Sequence, residues 1–158
     1  MRLFSTHEAL DKELAGVKCE TECHLGLVSS DAPLISNLDV LRNIALIYQY
    51  HRDVGEKKAN AFVLECLKRY GLEDIAYKRS AALSEEQRFL VMLIRAAMVP
   101  DAIIVIDRPF KIIPYLKDIS IIYEDLEKID DLYKQCHILD LSQDKKRYEM
   151  TDAAENRI

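Results

Sequence analysis

The stretch LSEEQRFLVMLIRAAMVPDAIIVIDRPF, residues Leu83–Phe110, joins a capped helix to an apolar strand that ends on an Asp-Arg pair. Ser84 with Gln87 three residues later is a capping-box pattern, which satisfies two backbone N–H groups at a helix start. The predicted helix runs to about Met98 and is apolar on nearly every side, as is typical of a buried helix. The run Ala102–Asp107 is short, β-branched and continuous, which predicts a central parallel strand.

Two further helices are predicted before this stretch. Apolar residues recur at helical spacing in 38–50, behind the candidate N-caps Ser36 and Asn37. A second apolar stripe covers 56–70, and Gly71 just past its end is a C-terminal stop signal. Together they indicate a helical segment ahead of the central strand.

After this stretch the pattern predicts a strand, a helix and a closing hairpin. The run ISIIY, 119–123, is apolar and β-branched, and we interpret it as a second buried strand. The segment 125–136 has the apolar spacing of an amphipathic helix. The run HILDL, 137–141, and RYEM, 147–150, are predicted to pair as a hairpin, and 151–158 as a frayed, flexible tail.

Near the start of the sequence, MRLF (1–4) and HLGLV (24–28) are predicted as strands and 7–15 as a helix. Strands and helices that alternate around an all-helical insert, 36–84, indicate an α/β fold with a parallel sheet. The length of 158 residues fits one domain, 1–158.

The composition excludes several classes of protein. A hydrophobic fraction of 49% and a charged fraction of 31% are those of a globular chain. The net charge of -5 is spread along the sequence without a basic stripe, so we expect no nucleic-acid partner. No window approaches the roughly 18 apolar residues of a membrane span. We therefore expect a cytoplasmic protein with no direct membrane insertion.

The cysteines offer one candidate metal site. Cys19, Cys23, Cys66 and Cys136 are expected to be reduced and mostly buried in the cytoplasm. The run CETECH, 19–24, combines cysteines with a histidine, but its spacing is not C-x-x-C and no second ligand pair follows. We expect no metal and no cofactor.

The order of these elements, together with four stretches of sequence, resembles the ATP-binding domain of ABC transporters, a P-loop NTPase. The stretches are GLVSSDAPLISNLDVLRNIAL (26–46), YGLEDIAYKRSAALSEEQR (70–88), IRAAMVPDAIIVIDRPF (94–110) and ISIIYEDLEKIDDLYKQCHILDLSQDKKRYEM (119–150). They are similar, in that order, to the Q-loop region and first subdomain helix, the signature loop, the Walker B strand, and the switch-histidine strand with its hairpin. The resemblance implies a partial P-loop NTPase-like parallel sheet with an inserted helical subdomain.

The phosphate-binding elements of that family are absent or replaced. A Walker A loop needs glycines, a Lys and a Ser or Thr, but no Gly-Lys-Ser/Thr occurs in this chain. Ser5 and Thr6 either mark the start of the helix that normally follows the loop or belong to an unrelated helix. The Q-loop glutamine falls on Ser30, whose shorter hydroxyl cannot span the same distance.

At the signature, where the family has Leu-Ser-Gly-Gly-Gln, this chain has Leu83, Ser84, Glu85, Glu86 and Gln87. Two carboxylates therefore stand at a helix N-terminus, where free amides and the helix dipole would otherwise receive a phosphate. Their negative charge opposes ATP.

The resemblance also places Asp107 at the Walker B aspartate and Arg108 at the catalytic glutamate. An arginine stays protonated and cannot act as a general base. The switch histidine falls on Glu124, or on Gln143 in an alternative register. We expect Arg108 to pair with Asp107, Glu124 or Glu85 and to close the vacant site.

These replacements all concern the nucleotide, whereas the apolar framework is retained. The sequence therefore predicts a pseudo-ATPase, an accessory or regulatory subunit that docks through 36–84 onto an ABC permease or an intact ATPase subunit. Such a partner would bring it to the inner face of the membrane. Two alternatives remain: half of a composite ATPase whose partner supplies the phosphate loop, with Ser84 and Gln87 acting in trans, or a free-standing protein-interaction module.

Overall fold

The structure, a computed structural model of the chain, describes residues 1–20 and 24–148, with the side chains of 18–20 left out. The helices and strands follow in the order β1 (Arg2–Phe4), α1 (His7–Glu20), β2 (Leu25–Val28), α2 (Val40–Arg52), α3 (Glu56–Lys68), α4 (Glu85–Ala97), β3 (Ala102–Asp107), α5 (Pro109–Ile112), α6 (Ser120–Glu127) and β4 (Tyr133–Leu141). Short 3-10 helices cover Glu73–Ile75, Ser80–Ala82 and Ser142–Asp144. None of the helices in these ranges is long and apolar enough to cross a membrane.

The four described strands form one sheet in the order β1-β4-β3-β2, and every neighbouring pair is parallel. This confirms the predicted α/β fold with a parallel sheet. The predictions of strands near residues 1–4 and 24–28, and of a helix beginning at His7, are also correct. Because all the strands run the same way, their carboxyl ends meet at a single edge of the sheet.

The strand β3 is covered on both faces, as its continuous apolar sequence predicts. Ile104 and Ile106 belong to the larger core cluster, which includes α2, α3 and α4. Val105, which points to the other face, packs in a second cluster with Leu10 and Leu14 of α1. The sheet is therefore a layer between α1 on one side and the helical segment with α4 on the other.

The helix α4 packs against β2, β3 and α2, and more than half of its side chains are buried. Its approach to β2 is close at Gly26, where a Cβ atom would lie 2.4 Å from the carbonyl oxygen of Ala96. Glycine at this position lets the helix lie directly on the strand.

Both predicted helices of the segment 36–84 form, as α2 and α3, but α2 begins later than predicted. Its N-cap is Asp39, whose Oδ1 accepts from the N–H of Arg42 at 2.8 Å, and not Ser36 or Asn37. The preceding residues are instead held by the buried amide of Asn43. That side chain accepts from the N–H of Ile35 at 2.7 Å and donates back to three carbonyl oxygens.

The predictions for 119–123 and 125–136 are wrong. The run ISIIY lies mostly in the helix α6, and the residues from Tyr133 onward belong to β4. Four apolar residues at helical spacing are buried here: Ile119, Ile122, Leu126 and Ile129. This period extends beyond the short apolar run and determines the helix. Pairing with β3 extends the strand β4 back to Tyr133.

The predicted closing hairpin of 137–141 with 147–150 is also absent from the described residues. The chain turns through Ser142–Asp144 into a helical turn at 145–148. Both edges of β4 are already occupied, one by β1 and the other by β3, so no edge remains for a returning strand. Residues 149–150 and the predicted tail, 151–158, lie outside the described residues.

The substitution Gly26→Ala is expected to destabilise the chain by about 1–3 kcal/mol, because the added methyl group would overlap the backbone of α4. Urea unfolding followed by circular dichroism measures this change. Gly16→Ala is the matched control, since nothing lies within 4 Å of the added Cβ on the exposed side of α1. There alanine should stabilise by about 0.5–1 kcal/mol. Equal effects at both positions would contradict the close approach.

Candidate functional site

The carboxyl edge of the sheet collects polar side chains from adjacent strands. Asp107 ends β3, and Ser29 follows directly after β2 on one side of it. Asp140 lies near the end of β4 on the other side. All three side chains belong to buried residues, so the edge is a polar site within the fold.

Asp107 is the centre of this site and is 1% exposed. Its Oδ1 accepts a hydrogen bond from Nε of Arg108 at 2.8 Å, and its Oδ2 accepts one from Nη2 of Arg108 at 2.9 Å. The hydroxyl of Ser29 donates to the same Oδ2 at 2.8 Å. The guanidinium therefore holds the carboxylate in a two-point, charge-assisted contact.

The backbone at Arg108 makes this contact between sequence neighbours possible. Arg108 has φ 48° and ψ 64°, in the left-handed region that non-glycine residues rarely adopt. Its N–H donates to the carbonyl oxygen of Leu139 on β4 at 2.8 Å, and Pro109 starts α5 immediately afterwards. With the chain turned in this way, the guanidinium folds back onto the carboxylate of Asp107.

A second carboxylate, Asp31, faces the guanidinium from the loop after β2. Nη2 of Arg108 lies 3.4 Å from Oδ2 of Asp31, and Nζ of Lys111 lies 3.9 Å from its Oδ1. The pKa of Arg108 is raised, first by its hydrogen bonds to Asp107 and then by the charges of Asp107, Asp11 and Asp31. Burial opposes this increase. Arg108 is therefore a fixed cation.

Of the three partners predicted for Arg108, only Asp107 is confirmed. Glu124 lies on the exposed side of α6 and Glu85 in the first turn of α4, and neither forms an ion pair with Arg108 among the described residues. Ser29 and Asp31 were missed by the sequence reasoning. A signal for both residues was present between them, because the resemblance places the Q-loop residue at Ser30.

Ser30 itself is exposed, and its hydroxyl lies 3.4 Å from Oδ1 of Asp31. The residue one position earlier, Ser29, reaches the centre of the site instead. The two residues considered for the switch position also lie in different places. Glu124 is on a helix and not at a strand end, whereas Gln143 follows β4 and lines the same cavity as Arg108.

This cavity has a volume of about 310 Å³ and opens at the carboxyl edge between α1, β3 and β4. Its polar lining consists of His7, Arg108, Lys111, Asp140, Gln143 and Asp144. Cationic and acidic side chains therefore share one small volume. A triphosphate would meet the carboxylates of Asp140 and Asp144 as well as the basic groups.

Asp140 is a second buried carboxylate, at 1% exposure. Its Oδ2 accepts from the hydroxyl of Tyr148 at 2.7 Å, and its Oδ1 accepts from the N–H of Leu141 at 2.8 Å. Burial, together with the charges of Asp144 and Asp107, raises the pKa of Asp140 against the effect of these hydrogen bonds. The run HILDL carries an aspartate near its end as AIIVID does, and that likeness was the signal that sequence reasoning missed.

The connection from β1 to α1 lies at the same edge and consists of Ser5 and Thr6 alone. Thr6 caps the helix, since its Oγ1 accepts from the N–H of Ala9 at 3.2 Å. A strand-loop-helix phosphate site of the Walker A type needs about eight residues, G-x-x-x-x-G-K-[ST], at such a connection. Two residues without a glycine cannot surround a phosphate with backbone N–H groups.

The predicted capping box at the start of α4 is confirmed. The hydroxyl of Ser84 accepts from the N–H of Gln87 at 3.1 Å, and Oε1 of Gln87 accepts from the N–H of Ser84 at 3.1 Å. Glu85 and Glu86 occupy the first turn, where the helix dipole favours negative charge. The polar groups of Ser84 and Gln87 are therefore engaged with the helix backbone.

No group of three or more His, Cys, Asp or Glu side chains suited to a metal ion occurs among the described residues. Burial raises the pKa of Cys66 to about 11 and that of Cys136 to about 12, so both remain neutral thiols. The candidate cluster CETECH, 19–24, lies largely outside the described residues, because the side chain of Cys19 and all of Cys23 are not described.

Comparison with known proteins identifies the fold. No protein-family model matches the chain, and no curated protein matches it. Among solved structures, the dimeric structure of MJ0796, a bacterial ABC transporter cassette, matches with a TM-score of 0.56 and 26% identity over 83% of this chain. A dimeric post-hydrolysis state of the ATP-binding cassette MJ0796, bound to ADP and Pi, matches with a TM-score of 0.55 and 23% identity over 84% of this chain.

The chain spans 56% of the length of both MJ0796 structures. Its fold is thus similar to that of ABC ATP-binding cassettes.

Replacing Arg108 by alanine is expected to lower the free energy of unfolding by about 3 kcal/mol, because Asp107 would be left buried without its counter-ion. Removing both side chains, in Asp107→Ala with Arg108→Ala, should cost less than the sum of the single changes. Arg42→Ala is the control for a surface Asp-Arg pair, since Arg42 lies 4.0 Å from Asp39 and is 65% exposed. That pair should contribute at most about 1 kcal/mol. Chemical denaturation measures all four variants, and additive effects at 107 and 108 would argue against the pair.

The raised pKa of Asp140 predicts how stability depends on pH. The folded chain holds this proton more tightly than the unfolded chain, so the resulting stabilisation is complete below the unfolded pKa of about 3.9. It is lost as the pH rises through the folded value. Asparagine does not titrate, so Asp140→Asn should gain stability relative to the natural chain as the pH rises above about 4. Thermal melts across that range test this, and a difference that does not vary with pH would contradict it.

Proposed function

We propose that this chain is a non-catalytic ABC ATPase-like subunit that binds a partner protein, either a transporter permease or a complete ATPase subunit. The observation that carries the proposal is the contact of Arg108 with both carboxylate oxygens of Asp107, joined by the hydroxyl of Ser29. This contact stands where the sequence resemblance places the metal-holding aspartate and the catalytic glutamate.

Magnesium binding is disfavoured by this arrangement. Mg²⁺ takes oxygen ligands and is usually held through one or two carboxylates together with water and phosphate oxygens. In this chain three hydrogen bonds occupy the oxygens of Asp107, and the cation Arg108 already neutralises its charge. A divalent cation would have to displace the guanidinium from these oxygens. The two positive charges would then lie close together and repel each other.

Phosphate binding is disfavoured at the neighbouring strand end. The β1–α1 connection is too short for a Walker A loop, and the cavity that it borders contains Asp140 and Asp144. The available backbone donors at the start of α1 are partly used by Thr6. The site therefore offers a triphosphate neither a loop nor a uniform positive field.

Water activation is disfavoured at the positions where the resemblance places the catalytic glutamate and the switch histidine. The guanidinium of Arg108 stays charged, and the side chain of Gln143 is a neutral amide. Both carboxylate oxygens of Asp107 are buried and already accept hydrogen bonds from Arg108 and Ser29.

Partner binding is supported by the surface of the helical segment 36–84. Leu46 and Tyr50, one helical turn apart on α2, are 47% and 82% exposed, and Tyr77 is 74% exposed. Large apolar side chains that remain exposed together on one element are typical of protein interaction sites. We infer that this surface receives the permease or the ATPase partner.

The composite ATPase is the second candidate function. It requires Ser84 and Gln87 to face a nucleotide held by the partner, but both take part in the capping box of α4. The two carboxylates Glu85 and Glu86 also argue against a phosphate beside this helix start.

A free-standing interaction module is the third candidate function. Pull-down from membrane and soluble fractions distinguishes it from a transporter subunit.

Addition of about 1 mM Mg-ATP is expected to leave the melting temperature unchanged within about 1 °C, because the strand ends within 1–20 and 24–148 offer no open phosphate or metal site. A dissociation constant of about 10 μM would instead raise the unfolding free energy by about 2.7 kcal/mol and the melting temperature by roughly 5–10 °C. Differential scanning fluorimetry distinguishes the two outcomes. A shift of that size that is abolished in Asp107→Asn would contradict the proposal.

The composite site is tested on the complex of this chain with a co-purified ATPase partner. Turnover that is unaffected by Ser84→Arg excludes catalysis in trans, whereas its loss, with the complex still assembled, would favour the second candidate.

A further inference from the structure

A second surface, outside the segment 36–84, has the form of a groove. It lies between the first turns of α4 and the helix α6, above the residues that link α5 to α6, and encloses about 220 Å³. Its apolar lining consists of Phe89, Leu90, Ile113, Leu116, Ile121 and Ile122. The volume is below the roughly 300–1,000 Å³ of pockets for small molecules and cofactors. A groove of this size fits one or two side chains of a larger partner.

The floor and the walls of the groove differ in exposure. Phe89 and Ile122 are buried at 1% and 0% exposure and belong to the main core, so the floor is rigid. Leu90 is half-buried, and Ile121 is 46% exposed on the outer side of α6. The apolar surface therefore continues from the core out to solvent, where it has no partner within the described chain.

The rim of the groove carries negative charge. Glu86 on α4 and Asp125 on α6 line it, and Asp125 is only 8% exposed. Burial raises the pKa of Asp125, and the charges of Glu124 and Glu86 add to this effect. Nζ of Lys128, 3.0 Å from Oδ1 of Asp125, opposes it. Lys128 compensates the charge of Asp125, and the charges of Glu86 and Glu124, which also act on Asp125, leave an excess of negative charge beside the apolar groove.

We propose that this groove binds a helical segment of a partner protein that inserts an apolar side chain and places a Lys or Arg, one helical turn away, against Glu86 and Asp125. Amphipathic helices bind in grooves through anchors spaced by one turn, and opposite charge on the rim directs such a helix. An acidic surface, such as nucleic acid or anionic lipid, would be repelled by the same carboxylates. The inference goes beyond the proposed function, since the groove lies outside 36–84 and its occupancy does not depend on nucleotide.

The probe is a fluorescein-labelled amphipathic peptide of about 15 residues, with leucines on one face and lysines on the other. Its binding to the full chain is followed by fluorescence anisotropy. Binding should weaken at least about tenfold in Ile121→Asp and in Glu86→Lys, and a peptide with glutamates in place of the lysines should bind at least about tenfold more weakly. Methyl chemical shifts of Ile113, Ile121 and Ile122 should move on binding.

Two variants control for the introduction of a carboxylate on an exposed helix and for the change in net charge. Leu46→Asp places the same carboxylate at a site of similar exposure, 47% against 46%, but on α2. Glu65→Lys makes the same charge change on the exposed side of α3. Both should bind the peptide as the natural chain does, and circular dichroism verifies that all four variants are folded.

Equal losses in Glu86→Lys and Glu65→Lys would reduce the effect to overall charge and overturn the inference. Loss in Leu46→Asp alone would assign the peptide to the helical segment, which overturns this inference and leaves the proposed function in place. Self-association that excludes the peptide and is abolished by Ile121→Asp would assign the groove to a second copy of the chain, again against the proposal.

Discussion

The position of β4 between β1 and β3 is the constraint on which the rest of the structure depends. By pairing in parallel on both edges, β4, the last described strand, comes to lie beside the first, β1, and has no free edge beside residues 139–141 for a returning hairpin. It also brings the carboxyl ends of the strands to one edge. Asp107 and Asp140 lie there as neighbours because β3 and β4 are neighbours, and the connection from β1 to α1 opens beside them.

Two buried carboxylates at one edge require two forms of compensation, since an isolated buried charge is costly. Asp107 receives a cation, Arg108, which is the next residue in the chain and is folded back by the backbone. Asp140 receives neutral donors instead, the hydroxyl of Tyr148 and the N–H of Leu141, and burial raises its pKa in spite of these hydrogen bonds. The polar edge is therefore satisfied by groups of the chain itself.

The extent to which the sequence predicted this structure follows from how local each signal is. The helix α4 and the strand β3 were predictable because a capping box and a continuous β-branched run lie within their own residues. The run 119–123 was misread because five apolar residues fit either a buried strand or a buried helix face. The helix became evident only with Leu126 and Ile129, which extend the spacing beyond the run.

For the candidate site, the sequence predicted the pair of Asp107 and Arg108 but not Ser29, Asp31 or Asp140. Residues that are adjacent in sequence share a strand end, and their contact follows from local geometry. Partners from β2 and β4 reach the same point only through the register of the sheet, which no local pattern encodes.

The left-handed backbone at Arg108 restricts which side chains position 108 can accept. If a glutamate replaced the arginine while the chain kept φ near 48°, its carboxylate would be turned back onto that of Asp107, and two like charges would share a site that water does not reach. Recovery of an extended backbone would also require the N–H at position 108 to leave the carbonyl of Leu139. A carboxylate at position 108 would thus require the turn and the side chain to change together, so the backbone and the arginine are coupled at this position.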